Sequence, residues 1–98
     1  MSTVTLIGAP TDVGASVLGA SMGPDALRIA GLARALRALG LAVHDAGNLH
    51  GPGNPQALAQ DGFRHLDEVV QWNRAVHDAT AAALARGELP LLMGGDHC

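Results

Sequence analysis

The sequence predicts an α/β protein built on a parallel sheet in three layers. Three observations carry this. Short apolar or β-branched runs recur at residues 3–8, 41–46 and 89–94. The stretches between them carry helical spacing rather than a second strand period. The resulting order, β-α-β-α-β, leaves room for helical crossovers, which join parallel neighbours.

The first run, TVTLIG at 3–8, is bounded by Gly8 and Pro10 and reads as a buried strand. Residues 9–22 are rich in Gly, Ser and Ala and form a loop longer than most strand-to-helix connections, which points to a binding or rim role. Gly23-Pro24 opens a helix, with Pro24 at its first position and Asp25 in its first turn. Ala26, Leu27, Ala30, Ala33, Leu36 and Leu39 supply an apolar stripe, and Arg28, Arg34 and Arg37 its wetter side. Gly31 can kink or split this helix, and Gly40 ends it. LAVHDA at 41–46 is the second strand, and GNLHGPGNPQ is a turn-rich loop. A long helix follows from about Gly62 to Arg86, with Leu66, Val69, Val70, Asn73, Val76, Thr80 and Leu84 on one face and Gly87 as terminator. LPLLMG at 89–94 is continuously apolar and is expected to be a strand buried on both sides.

The 98 residues are 48% hydrophobic and 15% charged, a globular composition. Phe63 and Trp72 are the only aromatics, so the core must come from Ala, Leu, Val and Ile. A net charge of −3 with six scattered basic residues speaks against nucleic acid. No apolar run approaches a membrane span, and MSTVTLIGAP lacks the charged start of a signal peptide. Cys98, the one cysteine, excludes an internal disulfide. Together these features predict a cytoplasmic protein without membrane or nucleic-acid partners.

Chemistry is concentrated in Gly94-Gly95-Asp96-His97-Cys98. Two glycines allow a sharp turn after the third strand, presenting Asp96 and His97 at its carboxyl end. Ligands of open α/β sheets bind there. A neutral imidazole at that edge can ligate a divalent metal. The ordinary reading, a polar turn after a strand, stands beside it. The glycine-rich loop at 8–24 lacks both G-x-G-x-x-G and the P-loop pattern, which weakens a small nucleotide-binding domain. It reads as a shaped loop beside the sheet edge.

IGAPTDVG, GASMGPDALRIAGLARAL and LPLLMGGDHC, in this order and spacing, resemble the start of the ureohydrolase superfamily, which contains arginases, agmatinases and related amidinohydrolases. The resemblance covers the whole chain, so residues 1–98 are expected to be the N-terminal portion of one arginase-like α/β domain, about a third of a family member. Within the superfamily it leans to arginase. The first strand starts almost at Met1, and the R-x-G-x-R run of agmatinases is missing. Val17-Leu18-Gly19 stands where many arginases carry arginine. Agmatinase, guanidinobutyrase and a non-catalytic fragment are the alternatives.

The resemblance implies two Mn2+ ions, a guanidino substrate (L-arginine), urea as product, and a homo-oligomer, trimer or hexamer. It maps one metal ligand onto His97 and an orienting role onto Asp96. Cys98 stands where the family has serine, either as a tolerated replacement or as a perturbation. The D-A-H-x-D and D-x-D-x-x-D-P segments, which supply the other ligands, do not occur in these residues. Asp12, His44, Asp45 and His50 do not replace them by motif. His65 and His77 read as solvated or partly buried residues of the long helix, and Asp61, Asp67, Glu68 and Asp78 as helix charges. The isolated 98 residues are therefore expected to be inactive, with no catalytic residue of their own. Their three strands leave an unpaired edge prone to aggregation.

Overall fold

The computed structural model describes residues 3–98. Strand β1 spans Thr3–Gly8, β2 Ala42–Asn48 and β3 Leu89–Met93. All pair in parallel, in the order β2-β1-β3, so the first strand made is the central one. The predicted α/β class and all three strands are borne out, with β2 starting one residue later and ending two residues later than expected.

β1 earns the central place by composition. Val4, Leu6 and Ile7 are buried, and the pleat sends alternate residues to opposite faces. Val4 and Leu6 join Met93 in one cluster, against which Leu32, Ala33, Leu36, Leu41 and Val43 pack. Thr5, Ile7 and Ala9 take the other face. There Ala9, Val13 and Trp72 form a second cluster with Leu49, Val69 and Val76. Thr5, fully buried, satisfies its hydroxyl by donating to Glu88 Oε1 at 2.6 Å.

The helix predicted from Gly23 is two helices, α1 (Gly23–Ala30) and α2 (Leu32–Ala38). Gly31 divides them at φ 96°, a left-handed value that glycine adopts without strain. This break changes the helical phase and corrects the expected stripe. Ala33 and Leu36 face the core, whereas Ala26, Leu27, Ala30 and Leu39 are exposed. Arg28, expected on the wet side, turns to the sheet. Its Nε and Nη2 donate to the two Asp45 carboxylate oxygens at 2.8 and 3.0 Å, and its Nη1 donates to Asn48 and Asp25. These contacts span a β-bulge. Leu6 pairs with Asp45 but Gly8 pairs with Asn48, one residue further than an even ladder allows.

Helix α3 runs Leu66–Ala85, starting four residues later and ending one residue earlier than predicted. The residues before it form a tight antiparallel bridge between Gln60 and Phe63 instead. Its buried face centres on Trp72 and Ala83, flanked by Val69 and Val76. Leu66, Val70, Asn73 and Leu84, expected on that face, are exposed.

β3 is not buried on both sides. Met93 is buried, but Leu89, Leu91 and Leu92 are exposed. The reason is position: among the described residues β3 has a neighbour on one side only, and α3 covers only part of it.

Candidate functional site

Three backbones converge where β3 ends. A methyl group on Gly95 would collide with the carbonyl oxygens of Thr11 and Ala20, and one on Gly23 with that of Gly94. Glycine is needed there because the first loop and the start of α1 lie directly against the turn after β3. The Asp96 N–H donates to Thr11 O at 2.8 Å, and Ala9 N–H donates to Met93 O at 2.8 Å, so β1's outgoing loop follows β3 past the strand end.

Asp96 accepts the Cys98 N–H on Oδ2 at 3.1 Å. Its carboxylate thus shapes the turn on which His97 rides, and no hydrogen bond joins it to the His97 ring among the described residues. His97 is exposed, in an open cleft of about 500 Å3. Trp72, Val76 and Leu92 line this cleft with apolar surface, and Asn73 adds an amide that donates to Cys98 O at 3.4 Å. Partial burial, with the Asp96 carboxylate beside it, pushes the Cys98 thiol up, which keeps it a thiol at neutral pH.

The first loop is shaped by its own contacts. Thr11 Oγ1 accepts the Val13 N–H at 3.0 Å, and buried Asp12 accepts the Gly19 N–H at 2.9 Å. Asn54 reaches across from the loop after β2, donating to Asp12 O at 2.8 Å and Ala15 O at 3.0 Å.

Among the sequence-predicted positions, Asp96 and His97 lie together at the sheet edge. His44 and Asp45 stand on β2, His50 is exposed in the loop beyond it, and His77 is exposed on α3. His65 departs from expectation. It lies just before α3 and is buried, with both ring nitrogens engaged. Sequence reasoning also passed over Asn54 and the cleft residues Trp72 and Asn73. The two acids at Asp67 and Glu68, which mark a helix's first turn, could have moved the helix start and freed His65 from it.

No three His, Cys, Asp or Glu side chains come together to hold a metal among the described residues. These residues offer one exposed imidazole at the edge and by themselves do not fit a metal centre. No helix among them is long and apolar enough to cross a membrane.

A parallel α/β sheet that turns an Asp-His pair out at the carboxyl end of a strand defines a protein whose functional edge is the strands' carboxyl side. The model of the arginase family matches residues 2–98, and the chain belongs to that family. It is 36% identical over 97 residues to an arginase of Staphylococcus aureus (strain COL), covering 96% of this chain and 32% of that protein. It is 37% identical over 98 residues to an arginase of Agrobacterium fabrum, covering 99% and 30%. The crystal structure of native arginase from Bacillus caldovelox superposes with a TM-score of 0.86 at 34% identity, covering 99% of this chain and 33% of that one. The chain thus spans about a third of the length of the relatives it matches.

Proposed function

We propose that residues 1–98 form the amino-terminal β-α-β-α-β unit of an arginase, which hydrolyses the guanidinium group of L-arginine to ornithine and urea. The observation that carries this reading is the exposed His97 at the carboxyl end of β3, in a chain that matches arginases along its whole length. In this reading His97 is one ligand of a two-manganese centre whose other ligands lie outside these residues. Imidazole and hard oxygen donors suit that metal. Asp96 holds the turn beneath the ligand, a role that neighbours of metal ligands commonly take. The acidic charge balance and family membership support a cytoplasmic homo-oligomer acting on a small guanidino substrate.

The uncovered face of β3 supports a longer protein. Leu89, Leu91 and Leu92 form an apolar edge that a soluble protein covers with another element.

The test is urea release by the full-length gene product with added manganese, against L-arginine, agmatine and 4-guanidinobutyrate. Arginine is expected to be turned over best, and His97→Asn to lose manganese affinity and activity together. Preference for agmatine or 4-guanidinobutyrate would replace the arginase reading by another amidinohydrolase. Urea release by the 98 residues alone would overturn the assignment of missing ligands.

A further inference from the structure

We infer that His65 is a positioning residue: it fixes the Val13-Gly14 turn against the Asp96-His97-Cys98 turn and so sets where His97 stands. The inference rests on the proposed function and concerns the same edge of the sheet.

His65 is 8% exposed and holds a left-handed backbone, φ 52° and ψ 44°. A non-glycine residue there is strained by about 1 kcal/mol or more, and such strain persists only where the surroundings over-determine it. The ring supplies that determination. Its Nδ1 lies 2.6 Å from Val13 O, across 52 residues of sequence, and its Nε2 lies 3.1 Å from the Ala57 N–H. The Val13 carbonyl can only accept, so Nδ1–H donates to it. Nε2 lies 3.1 Å from both the amide nitrogen and the carbonyl oxygen of Ala57, so either role at that nitrogen finds a partner there.

What His65 holds leads to His97. Val13 is fully buried, which leaves its carbonyl no water as an alternative partner. The next residue, Gly14, abuts the motif. A methyl there would overlap the Cys98 Cβ and lie 2.8 Å from Asp96 Oδ2. Two residues before Val13, Thr11 O accepts the Asp96 N–H. The 11–14 turn therefore braces the residues on both sides of His97, and a shift of Val13 is transmitted through the close approach of Gly14 to the Cys98 and Asp96 side chains and through the Thr11–Asp96 backbone bond.

The connection between β2 and α3 holds this turn twice, with Asn54 on Asp12 O and Ala15 O and with His65 on Val13 O. The ring of His65 bonds to Val13 and Ala57 and does not line the cleft, so its action on His97 is indirect. The same residue starts α3, accepting the Val69 N–H on its carbonyl, and α3 carries Trp72 and Asn73 to the cleft.

The experiment compares His65→Leu and His65→Asn in the full-length enzyme. Leucine has similar bulk and no donor. Asparagine tolerates the left-handed backbone, and its amide can donate to Val13 O. His65→Leu is expected to weaken manganese binding by about 10-fold or more, the usual scale for groups that orient ligands, and to lower kcat with KM changed less than about 3-fold. His65→Asn is expected to recover both to within about 3-fold. Fold integrity is read from the circular dichroism melt. A folded His65→Leu enzyme with wild-type manganese affinity and kcat would overturn the inference, as would an Asn variant no better than Leu. If His65→Leu fails to fold, Asn54→Ala carries the test, since it releases the same turn from the other side. A several-fold loss of manganese affinity is then expected, and none would overturn the idea. A wild-type enzyme without manganese-dependent urea release would remove the proposed function, and this inference with it. An active enzyme with indifferent variants would remove the inference alone.

Discussion

Replacing Arg28 by methionine removes the tie between α1 and β2 while keeping most of the side chain's bulk. The bond it breaks is bidentate, at 2.8 and 3.0 Å to Asp45, with side-chain exposures of 23% for Arg28 and 35% for Asp45. Exposed ion pairs are worth about 0.2–1 kcal/mol, and bidentate charge-assisted geometry strengthens them. Water still reaches a third of Asp45, so a coupling near 1 kcal/mol is expected from a double-mutant cycle of Arg28→Met with Asp45→Asn. Losing the Asn48 contact as well should bring the whole effect of Arg28→Met to about 2 kcal/mol. The hydrogen bond from Arg28, aided by the Gly47 N–H, holds the Asp45 carboxyl below its usual range. A lowered folded-state pKa stabilises above the unfolded value, near 4, and that stability is lost as pH falls through the folded value. The assay is urea denaturation at pH 7 and at points below pH 4. The difference between wild type and Asp45→Asn should be full at pH 7 and shrink below about pH 4. A coupling under about 0.3 kcal/mol, or a difference that persists at low pH, would refute the reasoning.

Three further outcomes follow from the packing. Gly95→Ala forces the turn off Thr11 O and Ala20 O and should cost about 1–3 kcal/mol, read as a lower urea midpoint. Trp72→Phe keeps an aromatic ring in the core but leaves Pro52 O without the indole N–H that reaches it at 2.7 Å. It should cost about 1 kcal/mol, a fall of roughly 4–8 °C in Tm for a unit of this size. Leu91→Lys places a charge on the open edge of β3 and should reduce self-association of the 98-residue chain in light scattering, and unchanged scattering would show that the edge is not the sticky surface.

How much of this was legible depended on where each residue's partner lay. β1 could be read because a short β-branched run closed by Gly8 and Pro10 carries its own signal. The Gly-Gly-Asp-His turn could be read because two glycines after an apolar strand are a local pattern. Arg28 was misplaced because its partner, Asp45, sits 17 residues on, and because one periodic stripe was carried through Gly31, where the phase changes. Burial of β3 was over-read because an apolar run reports what a strand needs, whereas exposure depends on which neighbours are present. His65 had a local signal for its place, the acids Asp67 and Glu68 of the first helical turn, but none for its partner. Its meaning lies in a carbonyl 52 residues away.

The central place of β1 also sets an order of assembly. Its pairing with β2 joins residues roughly 40 apart and its pairing with β3 residues roughly 85 apart, which makes the second closure dearer by about 0.7 kcal/mol in chain entropy. During synthesis, β1, α1, α2 and β2 can associate under the Arg28 clamp before the segment carrying β3 has been made. His97 is then the last part of this unit to find its place, docking onto a turn that His65 has already gathered.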